Sequence, residues 1–232
     1  KSSIEKVLVS VSADESRPVL AGIFFKIEDS QITIAGTDSY RLSEIKLKTT
    51  TKENLSCIIP ARTASEMLRL VSFEEADQVE MRIGESEISF VIGESQIISQ
   101  LTDGKYPDYE KIIPKDIATS IECDRSKLIE AVKVSSVFAR ESSHAIALKL
   151  EKDILTLDAQ TSDVGENTIK IAVKKSGKDA SISINAKYIS DILNVSGGST
   201  ITIGMNDKLD PLLVLPGGKN STESHIIMPL RS

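Results

Sequence analysis

The sequence predicts an α+β protein built from two homologous domains, each with two helices packed on antiparallel sheets. Two observations support this prediction. Segments with the 3.6-residue period of an amphipathic helix alternate with short segments of period 2, which is typical of half-buried strands. The whole pattern then occurs a second time at an offset of about 125 residues, which indicates an internal duplication.

The duplication is visible at three anchors that occur in the same order. IEKVLVSVSADES, from Ile4, resembles IEAVKVSSVFARESS, from Ile129, at an offset of 125 residues. FKIEDSQITIAG lies over LKLEKDILTLDAQ. IPARTASEMLRL, from Ile59, lies over INAKYISDILNV, from Ile184, again at an offset of 125. Three ordered anchors indicate two copies of one domain.

The domain boundary is predicted near IIPKDIATS, where Pro114 ends one pattern and the strand SIECD begins the next. We therefore expect a first domain over residues 1–115 and a second over residues 116–232. The sequence begins at Lys1 instead of a methionine, from which we expect a fragment or a processed form.

Each element of the first domain has its own signature. In IEKVLVSV the apolar residues fall at i, i+3, i+4 and i+7, which predicts an opening helix. GIFFKIED and QITIAG alternate with period 2 around Asp29 and Ser30, which predicts a hairpin, and SEIKLKT continues the sheet. After a second helix, VEMRIG, EISFVIG and SQIISQL predict three short strands broken by Gly84 and Gly93.

The second helix, from about Ala61 to Val71, has two distinct faces. Apolar side chains cluster on one side, and charged ones fall on the other. Exposed charged side chains on a helix usually only interact with water. Equivalent helices in a duplicated protein, however, would line one continuous surface. In the first copy the apolar face consists of Ala64, Met67, Leu68 and Val71, and the polar face consists of Arg62, Glu66 and Arg69. In the second copy the apolar face consists of Ile189, Ile192 and Leu193, and the polar face consists of Lys187, Asp191 and Asn194.

Composition excludes several classes of function. The chain has 232 residues, 40% of them hydrophobic and 27% charged, as in a soluble globular protein. Aromatic residues make up 4% without any Trp, which argues against stacking platforms for single-stranded nucleic acid. The formal net charge of −6 argues against an overall basic DNA-binding surface, although a local basic stripe remains compatible with it.

The cysteines and histidines are too few for a metal site. Cys57 and Cys123 lie far apart in strand-like contexts, which favours reduced thiols, as in a cytoplasmic protein, over a disulfide. His144 and His225 add no ligand spacing, so we expect no metal and no cofactor. No apolar run approaches the roughly 20 residues of a membrane span, and no signal peptide is present, so we expect no membrane partner.

The segment GTDSYRL, Gly36 to Leu42, has the residue types of a catalytic site. A hydrolase using Ser39, Asp38 and a histidine is one alternative, but G-x-S-x-G and phosphate-binding glycine loops are missing. Asp38 is better explained as the cap of a turn, since Asp readily accepts nearby backbone N–H groups. An adhesive β-rich surface module is a second alternative, which the lack of a signal and of paired cysteines disfavours.

Five segments in order carry a family resemblance: RPVLAGIFFKIED, GTDSYRL, LTDGKYPDYEKIIP, INAKYISDILN and HIIMPLRS. They resemble the second and third domains of the bacterial DNA polymerase III beta subunit, the sliding clamp. The resemblance spans the whole chain and implies the DNA clamp fold. It also implies a non-catalytic processivity factor, a homodimeric ring of six similar domains with helices around duplex DNA and sheets outside.

The resemblance further implies partners and the residues that would meet them. Encircled DNA is bound without sequence preference, and the expected protein partners are the polymerase III alpha subunit, the clamp loader and other proteins with a clamp-binding motif. The family pattern places Arg17 and Arg62 against DNA, and the helix faces add Lys6, Arg69 and Lys187.

In the family, a hydrophobic cleft between these two domains takes up short peptides. At the positions of Ser39 and Tyr40, members of the family often have Gly and His. They often have a basic residue at the position of Lys111 and an aromatic residue near the position of Ala145. The preference for partner peptides can therefore differ in this chain. Flexible apolar side chains suit such a site. Matched residue by residue, the cleft would comprise Leu20, Thr37, Ser39, Tyr40, Arg41, Leu42, Pro107, Lys111, Ile112, Asn185, Tyr188, Leu209, Pro211, Met228, Pro229, Leu230 and Arg231.

Overall fold

The computed structural model describes residues 1–140, 143–161, 165–218 and 221–230. The chain divides into two compact units, Lys1–Asp108 and Tyr109–Ser232. The boundary expected from the sequence lies a few residues later, after Lys115. The intervening stretch contains a short 3-10 helix, Tyr109–Ile112, which belongs to the second unit.

The first unit contains two helices and seven strands among its described residues. All of the strand pairs are antiparallel, and the strands form two groups that pair in the orders β3-β2-β1-β4 and β5-β6-β7. The elements are α1 Ser2–Leu8, β1 Gly22–Glu28, β2 Gln31–Thr37, β3 Arg41–Lys48, β4 Leu55–Pro60, α2 Ala61–Phe73, β5 Glu80–Ile83, β6 Glu87–Ile92 and β7 Ser95–Gln100.

The predicted hairpin between β1 and β2 is confirmed. Its turn residues Asp29 and Ser30 have φ values of 51° and 59°, and Glu28 pairs with Gln31 across the two-residue loop. Two successive residues with positive φ are the geometry that matches the right-handed twist of paired strands. The turn therefore sets the register of the two strands.

Helices α1 and α2 pack on the β3-β2-β1-β4 sheet, as the apolar periodicity predicted. Val7 of α1 is fully buried, and Ala64 and Met67 of α2 are almost so. They join a core that includes Ile23 and Ile59 from the strands. The predicted polar face of α2 is also confirmed at its two arginines, because both side chains are exposed.

The second unit repeats this plan, which confirms the α+β class. Its two α-helices pack on antiparallel strands, and each of the two directly follows a strand. The elements are β8 Thr119–Asp124, α3 Arg125–Phe138, β9 Ala145–Glu151, β10 Ile154–Thr161, β11 Gly165–Ala172, β12 Lys174–Ser176, β13 Ala180–Asn185, α4 Ala186–Val195, β14 Thr200–Met205, β15 Leu212–Pro216 and β16 Glu223–Ile227.

The strands of the second unit pair in two groups, β12-β8-β14-β15-β16 and β11-β10-β9-β13. Both helices are capped by their sequence. The Asp124 carboxylate accepts from the Lys127 backbone N–H at 3.0 Å, and the Asn185 side-chain oxygen accepts from Lys187 N–H at 2.8 Å. Such caps satisfy N–H groups that the first helical turn leaves without partners.

A guanidinium group connects the two helices of this unit. Nε and Nη2 of Arg125, at the start of α3, both donate to the carbonyl oxygen of Leu193 in the last turn of α4, at 2.9 and 2.7 Å. A cation at this position also interacts favourably with the negative end of the helix dipole. The start of one helix is therefore fixed against the end of the other.

Gly36 of β2 lies directly beneath α1, and this close approach generates a stability prediction. A Cβ atom added there would come within 2.8 Å of a Val11 methyl and 2.9 Å of both a methyl and the carbonyl oxygen of Val7. We expect Gly36→Ala to lower the free energy of unfolding by about 1–3 kcal/mol through overpacking. Equilibrium urea unfolding followed by circular dichroism measures the loss.

The matched control is Gly84→Ala, because a Cβ at Gly84 would meet its nearest neighbour at an ordinary 3.5 Å. This control is expected to change the stability by less than about 0.5 kcal/mol. Equal stabilities for the two variants would show that α1 does not rest on Gly36 as closely as described.

Candidate functional site

The polar side chains of GTDSYRL build the turn between β2 and β3. Oδ1 of Asp38 accepts from the backbone N–H groups of Tyr40 and Arg41, both at 2.9 Å, and Oδ2 pairs with Nε of Arg41 at 3.0 Å. The Thr37 hydroxyl donates to the Arg41 carbonyl at 2.7 Å and accepts from Ser39 N–H at 3.1 Å. The predicted capping role of Asp38 is confirmed.

Ser39 is the conformationally demanding residue of this turn. Its φ of 80° lies in the left-handed region, which side chains other than glycine enter at a cost. The Ser39 hydroxyl accepts from Nη1 of Arg17 at 3.4 Å, so a neighbouring loop supports the turn. The Tyr40 side chain projects outward and is 60% exposed, whereas Leu42 is fully buried and lies off the surface.

Arg17 is held against its own loop and against the turn. Its Nε lies 3.1 Å from a carboxylate oxygen of Asp14, and its Nη2 donates to the Ser12 hydroxyl at 3.2 Å. The Arg17 side chain is nevertheless 42% exposed, so it can still meet an external anion. Lys6, on α1, is half-buried.

The other predicted DNA contacts differ in how far their charge is compensated. Arg69 binds Glu66 through two hydrogen bonds, at 2.9 and 2.6 Å, and these lower the pKa of the Glu66 carboxyl. Lys187 pairs with Asp191 at 2.8 Å. Arg62 is exposed on the same face of α2 as Arg69. Two of the predicted contacts therefore carry a carboxylate partner on their own helix.

The second unit contains a pocket of about 680 Å³ that brings four predicted residues together. Strands β9 and β13 form one side, and the segment after β16 forms another. The backbone N–H of Leu230 donates to the carbonyl of Ser183 at 2.8 Å, which fixes the final segment against β13. The predicted lining residues are Leu209, Met228, Pro229 and Leu230; the remaining ones are Ala147, Lys149, Ser181, Ile182, Ser183 and Lys208.

The sequence contains a pattern that indicates some of the pocket-lining residues absent from the predicted cleft. In AIALKLE of β9, Ile146, Leu148 and Leu150 are fully buried, so the alternating positions Ala147 and Lys149 share the opposite face. The register pairs Lys149 with Ser181 and Ala147 with Ser183 on β13. Alternation could indicate the face, but the pairing of distant strands was required to place the residues at one pocket.

The remaining predicted cleft residues fall into two groups. Among residues 1–108, Leu20 is half-buried and Pro107 is exposed. In the second unit, Asn185 caps α4, and Lys111, Ile112, Tyr188 and Pro211 are exposed or half-buried. The prediction for Arg231 lies outside the described residues.

The surroundings of His225 and of the two cysteines indicate structural roles for these side chains. His225 is fully buried, with Nε2 2.8 Å from a carboxylate oxygen of Glu223, which also lies 3.1 Å from the Ser196 hydroxyl. Cys57 and Cys123 are free thiols. Burial raises the pKa of Cys57 to about 11 and that of Cys123 to about 12, so both stay protonated at neutral pH.

Metal-binding clusters and membrane-spanning helices are both absent from the described part of the chain. Residues 1–140, 143–161, 165–218 and 221–230 contain no cluster of three or more His, Cys, Asp or Glu side chains placed to hold a metal. Within the same ranges, every helix is too short or too polar to cross a membrane.

Comparison with known proteins gives matches over nearly the whole chain. The family model for the DNA polymerase III beta subunit, central domain, matches residues 1–108, and the model for its C-terminal domain matches residues 110–231. The beta sliding clamp of Chlamydia muridarum is 29% identical over 234 residues, and that of Staphylococcus aureus strain Mu50 is 28% identical over 237. Each alignment covers 100% of this chain but 62% of the relative, so the chain spans less than two thirds of their length.

Solved structures agree with the fold. The DNA polymerase sliding clamp from Bacillus subtilis superposes with a TM-score of 0.92 at 26% identity, covering 100% of this chain and 62% of the other. The DNA polymerase III beta chain from Streptococcus pneumoniae gives a TM-score of 0.93 at 24% identity, with the same two coverages.

The Asp38 turn yields a prediction that separates a structural from a catalytic carboxylate. Asp38→Ala removes the acceptor of two backbone N–H groups in a largely buried position, so we expect a loss of about 1–3 kcal/mol in unfolding free energy. Asp38→Asn keeps one acceptor oxygen and should lose less. The exposed Asp77→Ala serves as the control, and urea unfolding is the measurement; equal midpoints for Asp38→Ala and Asp77→Ala would contradict the capping role.

Proposed function

The chain belongs to the DNA polymerase III beta subunit family, and we propose from this that it supplies the central and C-terminal domains of a DNA sliding clamp. The clamp would be a non-catalytic processivity factor. The observation that carries the proposal is the match of two consecutive domain models to residues 1–108 and 110–231. In the proposed whole protein, two chains form a closed ring around duplex DNA.

The charge distribution supports weak electrostatic contacts between the chain and DNA. A ring that encircles DNA requires no contact with base edges, and few phosphate contacts are needed to guide it. The net charge of −6 and the carboxylate partners of Arg69 and Lys187 limit the attraction to phosphates. We propose Arg62 and Arg17 as the principal phosphate contacts of this chain, since Arg17 is paired with Asp14 but its side chain remains 42% exposed.

The pocket of the second unit supports the proposed tethering of partner proteins. At about 680 Å³ it falls within the range of pockets that take up small ligands. Met228, Leu209 and Leu230 offer adaptable apolar side chains to an apolar anchor of a bound peptide. We propose the polymerase alpha subunit, the clamp loader and other proteins with a clamp-binding motif as the sources of such peptides.

The expected affinity follows from the size of the anchor. An aromatic side chain that buries about 150–250 Å² contributes roughly 4–6 kcal/mol before the cost of ordering the peptide is subtracted. Polar contacts and a second apolar residue offset part of that cost, so a dissociation constant in the micromolar range is expected.

The peptide site is tested with a variant at its exposed rim. We expect a synthetic peptide with one Gln, one Leu and one Phe to bind the chain with micromolar affinity in isothermal titration calorimetry. Leu209 is 60% exposed, so Leu209→Asp should fold normally and weaken binding at least tenfold by placing a charge beside the apolar anchor. Ile154→Asp is the matched control, because Ile154 is 43% exposed in the same unit and does not line the pocket. Equal affinity for both variants would exclude this pocket as the site.

The DNA contacts are tested by fluorescence anisotropy with a labelled duplex. Binding is expected to be weak and to fall steeply between about 50 and 200 mM salt, because it depends on the release of counterions from phosphates. The double variant Arg17→Ala, Arg62→Ala should weaken binding equally for all sequences. Arg82→Ala, on β5 and paired with Glu80, is the control and should have little effect. Tight binding at high salt, or a clear sequence preference, would count against the proposed contacts.

A further inference from the structure

The pocket of the second unit has a counterpart in the first unit. This first-unit pocket has a volume of about 530 Å³, and all of its lining residues lie between Phe24 and Pro107. Strands β1 and β4 form one side, and the loop between β5 and β6 and the segment after β7 form the others. In the second unit, β9, β13, the loop between β14 and β15 and the segment after β16 have the same places. The same four parts of the duplicated domain therefore enclose a pocket in each unit.

The correspondence between the two pockets holds at single residues. Lys26 of the first-unit pocket lies 123 positions before Lys149 of the second-unit pocket, which is the offset of the sequence anchor that contains both. Ser56 lies 125 positions before Ser181, which is the offset of the anchor that follows them. The side chains of Ser56 and Ser181 are both exposed. The two pockets are therefore equivalent parts of the duplicated domain.

In both units, an edge strand directs backbone groups toward the pocket. Strands β4 and β13 each end the pairing order of their group. The carbonyl oxygen of Ile58 accepts from the backbone N–H of Thr102 at 2.9 Å, which matches the bond from Leu230 to Ser183 in the second unit. Because backbone direction alternates along an antiparallel strand, the N–H and C=O groups of Ser56 point to the same edge as those of Ile58. The edge of β4 at Ser56 can therefore pair with an extended peptide.

The first-unit pocket is the smaller of the two because two aromatic rings contribute to its lining. Phe24 takes the position that Ala147 has in the second unit. The ring of Tyr106, from the segment after β7, stacks on the Phe24 ring with centroids 5.0 Å apart and planes inclined by 17°. The volumes are about 530 Å³ and about 680 Å³. The first-unit pocket therefore suits an aliphatic anchor better than an aromatic one.

The lining of the first-unit pocket carries no net charge. It includes two lysines, Lys26 and Lys105, and two acids, Glu85 and Asp103. Lys26 also forms an ion pair with Glu28 on its own strand. A balanced lining favours an occupant without net charge, because a buried charge requires a partner of opposite sign.

Building on the proposed peptide site, we infer that the first unit contains a second docking pocket, whose occupant is an extended, uncharged peptide segment with a leucine anchor. The peptide backbone pairs with the edge of β4 at Ser56, and the leucine side chain lies against the rings of Phe24 and Tyr106. Phe24 is the residue that selects the aliphatic anchor by size. Among the described residues, this pocket shares Pro107 alone with the cleft predicted from the family pattern, so it is a separate site.

The test locates two matched peptides on the isotope-labelled chain by amide NMR titration. Both peptides are acetylated and amidated and consist of small neutral residues around a single anchor, which is Leu in one and Phe in the other. We expect the Leu peptide to shift the signals of Lys26, Ser56 and Thr102, and the Phe peptide to shift those of the second-unit pocket instead. The shifts caused by the Leu peptide in the first unit should persist in the Leu209→Asp variant, which impairs the second-unit pocket.

Protein variants test the strand edge and the size selection separately. Ser56→Pro removes an N–H group that points away from the sheet, which an edge strand tolerates, and should weaken the Leu peptide at least about fivefold, as for a lost hydrogen bond. Ser56→Ala is the matched control, because it removes the hydroxyl but keeps the N–H group, so binding should persist. Phe24→Ala supplies the residue of the second unit and should let the Phe peptide bind the first-unit pocket. Circular dichroism confirms that each variant is folded.

The outcomes separate this inference from the proposed function on which it rests. If both peptides shift only the signals of the second-unit pocket, the inference is wrong and the proposed peptide site stands. If the peptides shift only the signals of the first-unit pocket, the inference holds and the second-unit site is wrong. If neither peptide binds either pocket, both are wrong. Equal affinity of the Leu peptide for Ser56→Pro and Ser56→Ala, or exclusion of the Phe peptide from the first-unit pocket of Phe24→Ala, would also overturn the inference.

Discussion

Burial of one face of an antiparallel sheet beneath a pair of helices is the constraint on which both units depend. In the first unit, Val7 and Met67 meet Ile23 and Ile59; in the second, Ile189 and Leu193 are as fully buried as the strand residue Leu148. Each helix consequently has one face for the core and one that is free to carry charge. The aliphatic composition serves this arrangement, since Ile, Leu and Val fill the layers and few aromatic residues are required.

Polar residues that resemble catalytic groups have structural roles in this chain. The side chains of Asp38, Thr37 and Arg41 form hydrogen bonds within the turn between β2 and β3. Glu223 and His225 form a buried pair with each other, with the Ser196 hydroxyl at the end of α4. In both cases a buried polar group is satisfied by near neighbours, which leaves little capacity for chemistry on an external substrate.

The sequence predicted the fold in detail because the relevant signals are local. The hairpin at Asp29 and Ser30, the two faces of α2 and the strand SIECD all follow from short-range periodicity and turn chemistry. The pocket depends instead on the register that brings Lys149 beside Ser181 and on the final segment that reaches Ser183. The Arg69–Glu66 and Lys187–Asp191 ion pairs are only partly predictable from local sequence. Their spacings of three and four residues place the side chains on one helix face, but the structure is needed to show that they are in contact.

The position of α1 above Gly36 has a consequence for how the first unit opens. A helix of seven residues is too short to persist alone in water. Its backbone N–H groups are therefore protected from hydrogen exchange with solvent only while the helix is docked on the sheet. Hydrogen exchange in α1 therefore reports the undocking of this helix, and comparison with exchange in β2 distinguishes a local release from unfolding of the whole unit. Because the loop after α1 carries Arg17, release of the helix would also free the guanidinium that supports Ser39. A release of α1 alone would therefore alter the support of the turn between β2 and β3 while the strands remain paired.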